Sequence, residues 1–232
     1  RLYAVDGPVN MVRLSELIDH VTKPELRFPP YSPMYPPKLA NTDLFAVVGK
    51  HDVLLHHPFQ SFQPVLEFIR SAAQDPDVVA IKQTIYRTGM NSDLMESLIL
   101  AAQRGKEVTV VVELMARFDE EANINWADRL ERAGAQVVYG VVGLKTHAKL
   151  ALVIRREAGA LRYYAHMGTG NYHPSTTKFY TDFGLLTANP AIATEVNEVF
   201  IHLTSLTKPK KLEHLWLSLI HISEPTRPER IS

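Results

Sequence analysis

The chain has 232 residues, no net formal charge at pH 7 and no cysteine. Its hydrophobic content of 46% and charged content of 22% predict a packed core and exclude a disordered chain. The balanced charge argues against a broad nucleic-acid or membrane-surface footprint, and the lack of cysteine excludes disulfide and thiolate chemistry. No apolar run reaches the length of a bilayer span and no signal peptide opens the sequence, so we expect a cytoplasmic protein.

The first 40 residues differ in character from the rest. Met11–Val21 is a short amphipathic piece, and five prolines crowd residues 29–37. Prolines at this density prevent helix formation and favour extended backbone. We interpret this proline-rich stretch as a linker that packs its aromatic side chains on a neighbouring surface, with a recognition peptide as the alternative.

Apolar strand patterns and amphipathic helix patterns then alternate along the chain. A first helix is predicted from a cap at Ser61 to about Ala73. Further on, strand, helix, strand, helix and strand are predicted for Asp77–Tyr86, Asp93–Arg104, Val108–Leu114, Asp119–Ala133 and Gln136–Val142. This order predicts an α/β domain with a mixed, mostly parallel sheet flanked by helices.

Basic side chains follow the predicted strands in turn. Arg87 comes after the first strand of the alternation, Arg117 after the second and His147 after the third. Each arginine by itself is most simply a surface charge. Because ligands of open α/β sheets bind where strands end in loops, their shared position indicates one site. Guanidinium groups match phosphoryl oxygens, which favours a phosphate ligand.

A His-x-Lys pair opens the next apolar run. If Thr146–Ile154 is a strand, His147 and Lys149 point to one face, because strand side chains alternate with period two. A nucleophile-capable imidazole would then lie beside a fixed positive charge. Such a pair is more often structural, but a downstream Gly-Thr-Gly-Asn element ending at Asn171 favours an anion site.

Two other ligand types find little support. The His56-His57 pair has no third residue at ligand spacing, and adjacent side chains on a strand diverge, so a metal centre there is not expected. The sequence contains no Walker A pattern, which excludes a nucleotide site of the P-loop kind.

Several segments in order resemble the bacterial polyphosphate kinase family. They are Leu2–Asn10, Asp52–Pro58, Val110–Leu114, Ala116–Ile124, Leu144–Lys149, His166–Tyr172 and Tyr180–Asp182. The resemblance covers about residues 1–214. It implies a fold like that of phospholipase D and reversible transfer of the terminal phosphate of ATP to polyphosphate.

The resemblance also implies roles for individual residues. His147 would carry the phosphate as a phosphohistidine, assisted by Lys149 and Asn171. Tyr180 would lie at ATP. Arg87 and Arg117 would line a magnesium–phosphate site, and since a guanidinium has no lone pair, we expect them to hold phosphate oxygens.

The same resemblance defines the expected domain organisation. Residues 1–34 would be the C-terminal end of a preceding helical head domain plus a proline-rich linker. Residues 35–214 would be the first of two phospholipase-D-like catalytic domains, and the second would be missing from this sequence. The family's full enzyme is expected to be a homo-oligomer, with membrane association left open. Residues 215–232 break the family pattern and read as translated adapter sequence, so no function is expected for them.

Two alternative functions stay open at this point. One is a phospholipase-D-like phosphodiesterase that completes its site by homodimerisation; Ile154, where that superfamily has Asp, speaks against it. The other is a non-catalytic half-site that binds polyphosphate through Arg87, Arg117 and Lys149. Salt-sensitive binding without phosphoryl transfer would favour this second alternative.

Overall fold

The computed structural model describes residues 4–89, 92–113, 120–140, 146–205 and 211–216. The chain divides into two compact units, residues 1–32 and residues 33–232. Within the described ranges, no helix is long and apolar enough to cross a membrane.

In the first unit, residues 4–32 form only short helical turns and irregular segments. A 3₁₀ segment at Met11–Ser15 runs directly into a four-residue helix, α1, at Glu16–Asp19, and a further 3₁₀ turn covers Pro24–Leu26. None of these turns has a buried residue. The amphipathic pattern of the sequence thus produces a helical turn whose apolar side chains are exposed in this chain.

The second unit is built on a seven-stranded sheet. The strands are β1 (Val53–His57), β2 (Val78–Ile85), β3 (Glu107–Val112), β4 (Gln136–Tyr139), β5 (Leu150–Glu157), β6 (Ala160–Gly168) and β7 (Asp182–Thr187). Their order across the sheet is β1-β7-β6-β5-β2-β3-β4. The strands predicted for Asp77–Tyr86, Val108–Leu114 and Gln136–Val142 correspond to β2, β3 and β4.

The sheet is mixed, as expected, but it is mostly antiparallel rather than mostly parallel. Only β2, β3 and β4 run parallel to one another. The pairs β1–β7, β7–β6, β6–β5 and β5–β2 are antiparallel. One reason is the tight turn at Ala158-Gly159, where both residues have positive φ, because so short a connection can join only antiparallel strands.

Helices cover both faces of the sheet. They are α2 (Leu44–Val48), α3 (Gln63–Gln74), α4 (Asp93–Gln103), α5 (Glu120–Arg132) and α6 (Pro190–Ser205). The prediction of α3, α4 and α5 is confirmed to within two residues wherever their ends are described. Ser92 caps α4 by accepting from the Met95 amide, and Ser61 accepts from the Gln63 amide at the start of α3.

Two apolar clusters lie on opposite faces. Side chains of α2 to α5 pack against one face, and those of α6 pack against the other. Alternate residues of β5 divide between the clusters, with Ala151 and Val153 in the first and Leu152 and Ile154 in the second. Because both faces of the sheet are buried, its strand ends are the natural place for a ligand.

Candidate functional site

Chain segments from both halves of the sheet meet at one end of it, here called the site edge. β2 and β3 end at this edge, and β5, antiparallel to β2, begins there. β6 ends and β7 begins at the same edge. Side chains that are distant in sequence therefore come together, as expected for the carboxyl ends of parallel strands.

His147 lies in the loop before β5, not within a strand. β5 begins only at Leu150, so the strand expected from Thr146 is wrong over its first residues, and alternation does not set the direction of His147. The Glu113 carboxylate instead accepts from the Thr146 amide at 2.7 Å. The Thr84 hydroxyl donates to the Ala148 carbonyl at 2.7 Å. Both neighbours of His147 are thus fixed, and the residue itself is exposed.

The Tyr86 ring brings the predicted basic residues together. The His147 imidazole packs edge-on against this ring, with centroids 4.8 Å apart and planes at 79°. The Lys149 ammonium lies 5.1 Å from the ring centroid, and the Arg87 guanidinium carbon lies 5.4 Å from it. The structure therefore places three of the predicted site residues around one aromatic ring, Tyr86, which was not among the predicted site residues.

Lys149 is buried at the base of this group, with 6% of its surface exposed. Its ammonium donates to the His147 carbonyl at 2.6 Å. Burial lowers the pKa of Lys149 to about 8, the Asp182 carboxylate opposes that shift, and Arg87 adds to it. At neutral pH the side chain is a cation held away from water, where its field on a bound anion is strong.

The glycine element contacts the start of β7. The Thr169 hydroxyl donates to the Asp182 carboxylate at 2.8 Å, and the Thr169 amide donates to the Phe183 carbonyl at 2.9 Å. Gly170 lies so close to Asp182 that a Cβ there would clash with the carboxylate. The adjacent Asn171 has a buried side-chain oxygen with no hydrogen-bond partner among the described residues. The loop is therefore closely packed against β7, and at the site edge the Asn171 side-chain oxygen remains able to accept a hydrogen bond.

Two buried imidazoles lie behind this loop, on either side of Gly184. A Cβ added to Gly184 would be 2.8 Å from Nε2 of His166 and 3.4 Å from Nε2 of His57. The His57 Nδ1 must carry hydrogen, because it pairs with the Gln60 carbonyl at 2.8 Å. The His166 Nδ1 pairs with the Tyr172 hydroxyl at 2.7 Å.

Both of these histidines are neutral at ordinary pH. Burial, with a smaller contribution from the nearby His57, lowers the pKa of His166 to about 3. Burial also lowers the pKa of His57. The predicted pair His56-His57 is thus split, since His57 joins the buried imidazoles while His56 stacks on Phe183 with centroids 4.5 Å apart.

Helix α5 holds the site edge from outside. The Asn123 side-chain amide donates to the carbonyl of Tyr86 at 3.0 Å and to that of Glu113 at 2.9 Å. The indole of Trp126 donates to the Gly89 carbonyl at 2.9 Å. The ends of β2 and β3 are therefore tied to one helix. A polar residue on the buried face of a helix was the sequence signal that could have identified Asn123.

Not every predicted residue can be placed. Arg117 lies outside the described residues. Tyr180 is 64% exposed and comes two residues before Asp182, at the site edge. Ile154 is buried in the apolar cluster under α6, at a position where a carboxylate would lack polar surroundings.

The described residues do not form a protein-held magnesium site. They contain no group of three or more His, Asp or Glu side chains suited to hold a metal ion. Arg87, expected beside the magnesium, has no lone pair for it. The carboxylate and amide side-chain oxygens at this edge belong to Asp182, Glu113 and Asn171, which is fewer groups than an octahedral ion requires without water or substrate oxygens.

Comparison with known proteins agrees with this architecture. Residues 43–209 match the family described as polyphosphate kinase C-terminal domain 1. A polyphosphate kinase from Neisseria meningitidis is 56% identical over 218 residues, which cover 94% of this chain and 32% of the relative. One from Burkholderia multivorans is 57% identical over 221 residues, with 93% and 32% coverage.

Solved structures support the same assignment. The crystal structure of polyphosphate kinase from Porphyromonas gingivalis matches with a TM-score of 0.75 and 35% identity, over 89% of this chain and 34% of that one. A phospholipase D family member, Nuc from Salmonella typhimurium, matches with a TM-score of 0.52 and 15% identity, over 69% of this chain and 98% of that one. The second likeness shows the phospholipase-D-like fold alone. The chain belongs to the polyphosphate kinase family and spans about a third of the length of the curated relatives it matches.

Proposed function

We propose that this chain supplies the phosphate-accepting half of an ATP–polyphosphate phosphotransferase, with His147 as the nucleophile. The observation that carries the proposal is the grouping of an exposed imidazole with Lys149 and Arg87 around the Tyr86 ring. Fixed cations beside a solvent-accessible nucleophile favour attack on a phosphate, because they stabilise the charge on the transferring group.

The reaction divides into two transfers. A lone pair on a neutral His147 nitrogen attacks the terminal phosphorus of ATP. A nitrogen–phosphorus bond forms, the bond from that phosphorus to the bridging oxygen breaks, and ADP leaves with the electron pair. A terminal oxygen of polyphosphate then attacks the same phosphorus and releases the imidazole. Splitting one transfer into two in this way is covalent catalysis, and each step is reversible.

The other side chains have distinct roles in this scheme. Lys149 and Arg87 bind non-bridging oxygens, and Arg117 is proposed to do the same from outside the described residues. The Asn171 amide orients the phosphate or the water around it. Tyr180, exposed at the same edge, offers an aromatic face to the adenine base. Magnesium is proposed to arrive with the phosphates of ATP, which it neutralises.

Parts of the longer relatives are expected to complete this site. Since this chain matches about a third of their length, efficient polymerisation is proposed for a full-length protein, where a second phospholipase-D-like domain would face the first. A homo-oligomeric assembly is proposed for that full-length protein as well.

Labelling with terminally labelled ATP and magnesium tests the proposal. We expect label on the chain that is stable in alkali, labile in acid and absent from His147→Ala. His51→Ala is the matched control, because His51 is an exposed histidine before β1, at the opposite end of that strand from the site edge. It should be labelled as the parent chain is.

Absence of label has a defined follow-up. A folded chain that binds polyphosphate in a salt-sensitive way without labelling is tested again after extension with the remaining C-terminal part of a relative. If the extended protein is still unlabelled, the phosphohistidine mechanism is wrong and the chain is a binding half-site.

A further inference from the structure

We infer that Tyr86 is a positioning residue whose ring, rather than its hydroxyl, orients His147 and holds Lys149 and Arg87 near it. This inference deepens the proposed function and rests on it where it concerns phosphoryl transfer. The orientation of the imidazole in the unreacted chain can be tested independently of that function.

The contacts of the ring are the first support. Its neighbours are an imidazole at 4.8 Å and two cationic groups at 5.1 and 5.4 Å, all measured to the ring centroid. These distances are within the range of aromatic pairing and of cation–π attraction. One side chain thus contacts all three of the described residues expected to act on phosphate from the loops after β2 and before β5.

The electrostatics of the group give the ring a specific task. Lys149 and Arg87 are like charges that repel each other, and Arg87 helps to lower the pKa of Lys149. The electron-rich face of a tyrosine attracts both cations, so it offsets part of their repulsion before any phosphate is bound. An aliphatic side chain of the same size would fill the space without that attraction.

The backbone of Tyr86 is itself well fixed. The residue follows β2 directly, and its carbonyl accepts from Asn123 of α5 at 3.0 Å. In contrast, no hydrogen bond to its hydroxyl occurs among the described residues. A fixed ring with an unbonded hydroxyl is the arrangement expected when the ring does the positioning.

The experiment compares Tyr86→Phe, which keeps the ring, with Tyr86→Leu and Tyr86→Met, which remove it. The control is Tyr163→Leu, since Tyr163 lies opposite Ile154 on β6, toward the end of the sheet away from the site edge. The first readout is the set of NMR NOE contacts between the His147 ring protons and the protons of Thr146, Ala148 and Lys149 in the unliganded 232-residue chain, because these contacts report the orientation of the imidazole directly. The second readout is the rate of labelling by ATP.

We expect Tyr86→Phe and Tyr163→Leu to match the parent chain in both readouts. Tyr86→Leu and Tyr86→Met should change the NOE contacts of the His147 ring and slow labelling about 10-fold to 100-fold, since small displacements of a reacting group cost rate on this scale. Two ringless variants are used so that one of them can be judged if the other does not fold.

Two outcomes would overturn the inference. If the ringless variants fold and leave the NOE contacts of the His147 ring and the labelling rate unchanged, the ring does not position the imidazole. If Tyr86→Phe is as slow as Tyr86→Leu, the hydroxyl acts instead of the ring. A parent chain that is never labelled, even when extended, counts against the proposed function alone, because the NMR comparison still decides the role of Tyr86.

Discussion

The two ends of the sheet use the same residue types in opposite ways. At the end away from the site edge, Arg155 contacts the carboxylates of Asp75, Asp77 and Glu157 at 2.7, 3.5 and 2.8 Å. Arg162 contacts Glu157 as well, at 3.2 Å. At the site edge, the buried Lys149 has a backbone carbonyl as its nearest acceptor and Asp182 as the neighbouring acid. Arginines bound to carboxylates support the fold, whereas a cation bound mainly to the backbone keeps capacity for an anion.

This difference explains why a cavity at the Arg155 end is not the site. The cavity, of about 560 Å³, is lined in part by Arg155, Arg162 and Tyr164. The Tyr164 hydroxyl donates to Glu157 at 2.6 Å and both arginines contact carboxylates, so these polar groups already have partners. Hydrogen-bonding capacity that remains available at the Asn171 side-chain oxygen distinguishes the site edge.

The strongest test of the comparison is Lys149→Met. Labelling of His147 should fall about 10²-fold to 10³-fold, because a preorganised charge at the developing negative charge is lost. Stability should not fall, since methionine fills the space without the cost of burying an ammonium. Labelling rates and urea unfolding measure the two effects. A large loss of stability would show that Lys149 supports the fold as Arg155 does.

The converse substitution, Arg155→Ala, should reduce stability. Its partners would remain as partly buried carboxylates without a cation, at a cost of about 2–3 kcal/mol in the free energy of unfolding. Labelling of His147 should be unchanged below the unfolding range. Arg156→Ala is the matched control, since Arg156 is the exposed neighbour, and its effect should stay within about 0.5 kcal/mol. Equal losses in the two variants would contradict a structural role specific to Arg155.

Gly184→Ala tests the buried imidazoles behind the site edge. The added Cβ would meet Nε2 of His166 at 2.8 Å, and neither that ring nor its neighbours have room to retreat. Overpacking of this kind should cost about 1–2 kcal/mol, measured by urea unfolding. Gly159→Ala has no atoms near its Cβ but has a positive φ, so it reports backbone strain without the clash. A fully stable Gly184→Ala chain would mean that the imidazoles can move.

The pH dependence of labelling should reveal the charge on Lys149. With its pKa lowered to about 8, the side chain is a cation below that pH and becomes neutral above it. The ratio of the parent labelling rate to the Lys149→Met rate should therefore be nearly constant below about pH 7, halve near pH 8 and fall about tenfold by about pH 9. Taking the ratio removes the pH dependence of His147 and ATP. A ratio that stays constant to pH 10 would show that burial does not lower this pKa.

Local sequence signals were sufficient for much of the fold. The alternation of apolar runs and amphipathic stretches gave β2, α4, β3, α5 and β4, because each pattern reflects a face that its own residues bury. The parallel arrangement of β2, β3 and β4 followed from the crossover helices between them. The shared position of Arg87 and His147 at one edge came from the same topology.

The antiparallel strand pairs and the hydrogen bonds around His147 could not be predicted from these local patterns. Pairing of β1 with β7 joins distant segments, and no local pattern specifies such a partner. Likewise, individual hydrogen bonds across the sheet hold residues 146–150 in place. Glu113 accepts from the Thr146 amide, and the Thr84 hydroxyl bonds to the Ala148 carbonyl and the Leu150 amide. Glu113 could have been identified from the sequence, because it is a carboxylate directly after an apolar strand. In the structure this carboxylate is buried. Tyr86 has no such signal, because an aromatic residue at a strand end is usually packing.

The position of β1 also has a consequence for the order of folding. β1 ends at His57, but its neighbour among the described strands, β7, begins only at Asp182. A ribosome therefore releases β1 long before its partner strand exists. The segment from β2 to β4 can meanwhile assemble with α4 and α5 through local contacts. During synthesis the apolar side chains of β1 must be shielded from water before β7 is made. Helix α3 follows β1 directly and packs into the same apolar cluster, so it is available to shield them. Moving β1 to the end of the chain by circular permutation would remove that waiting period.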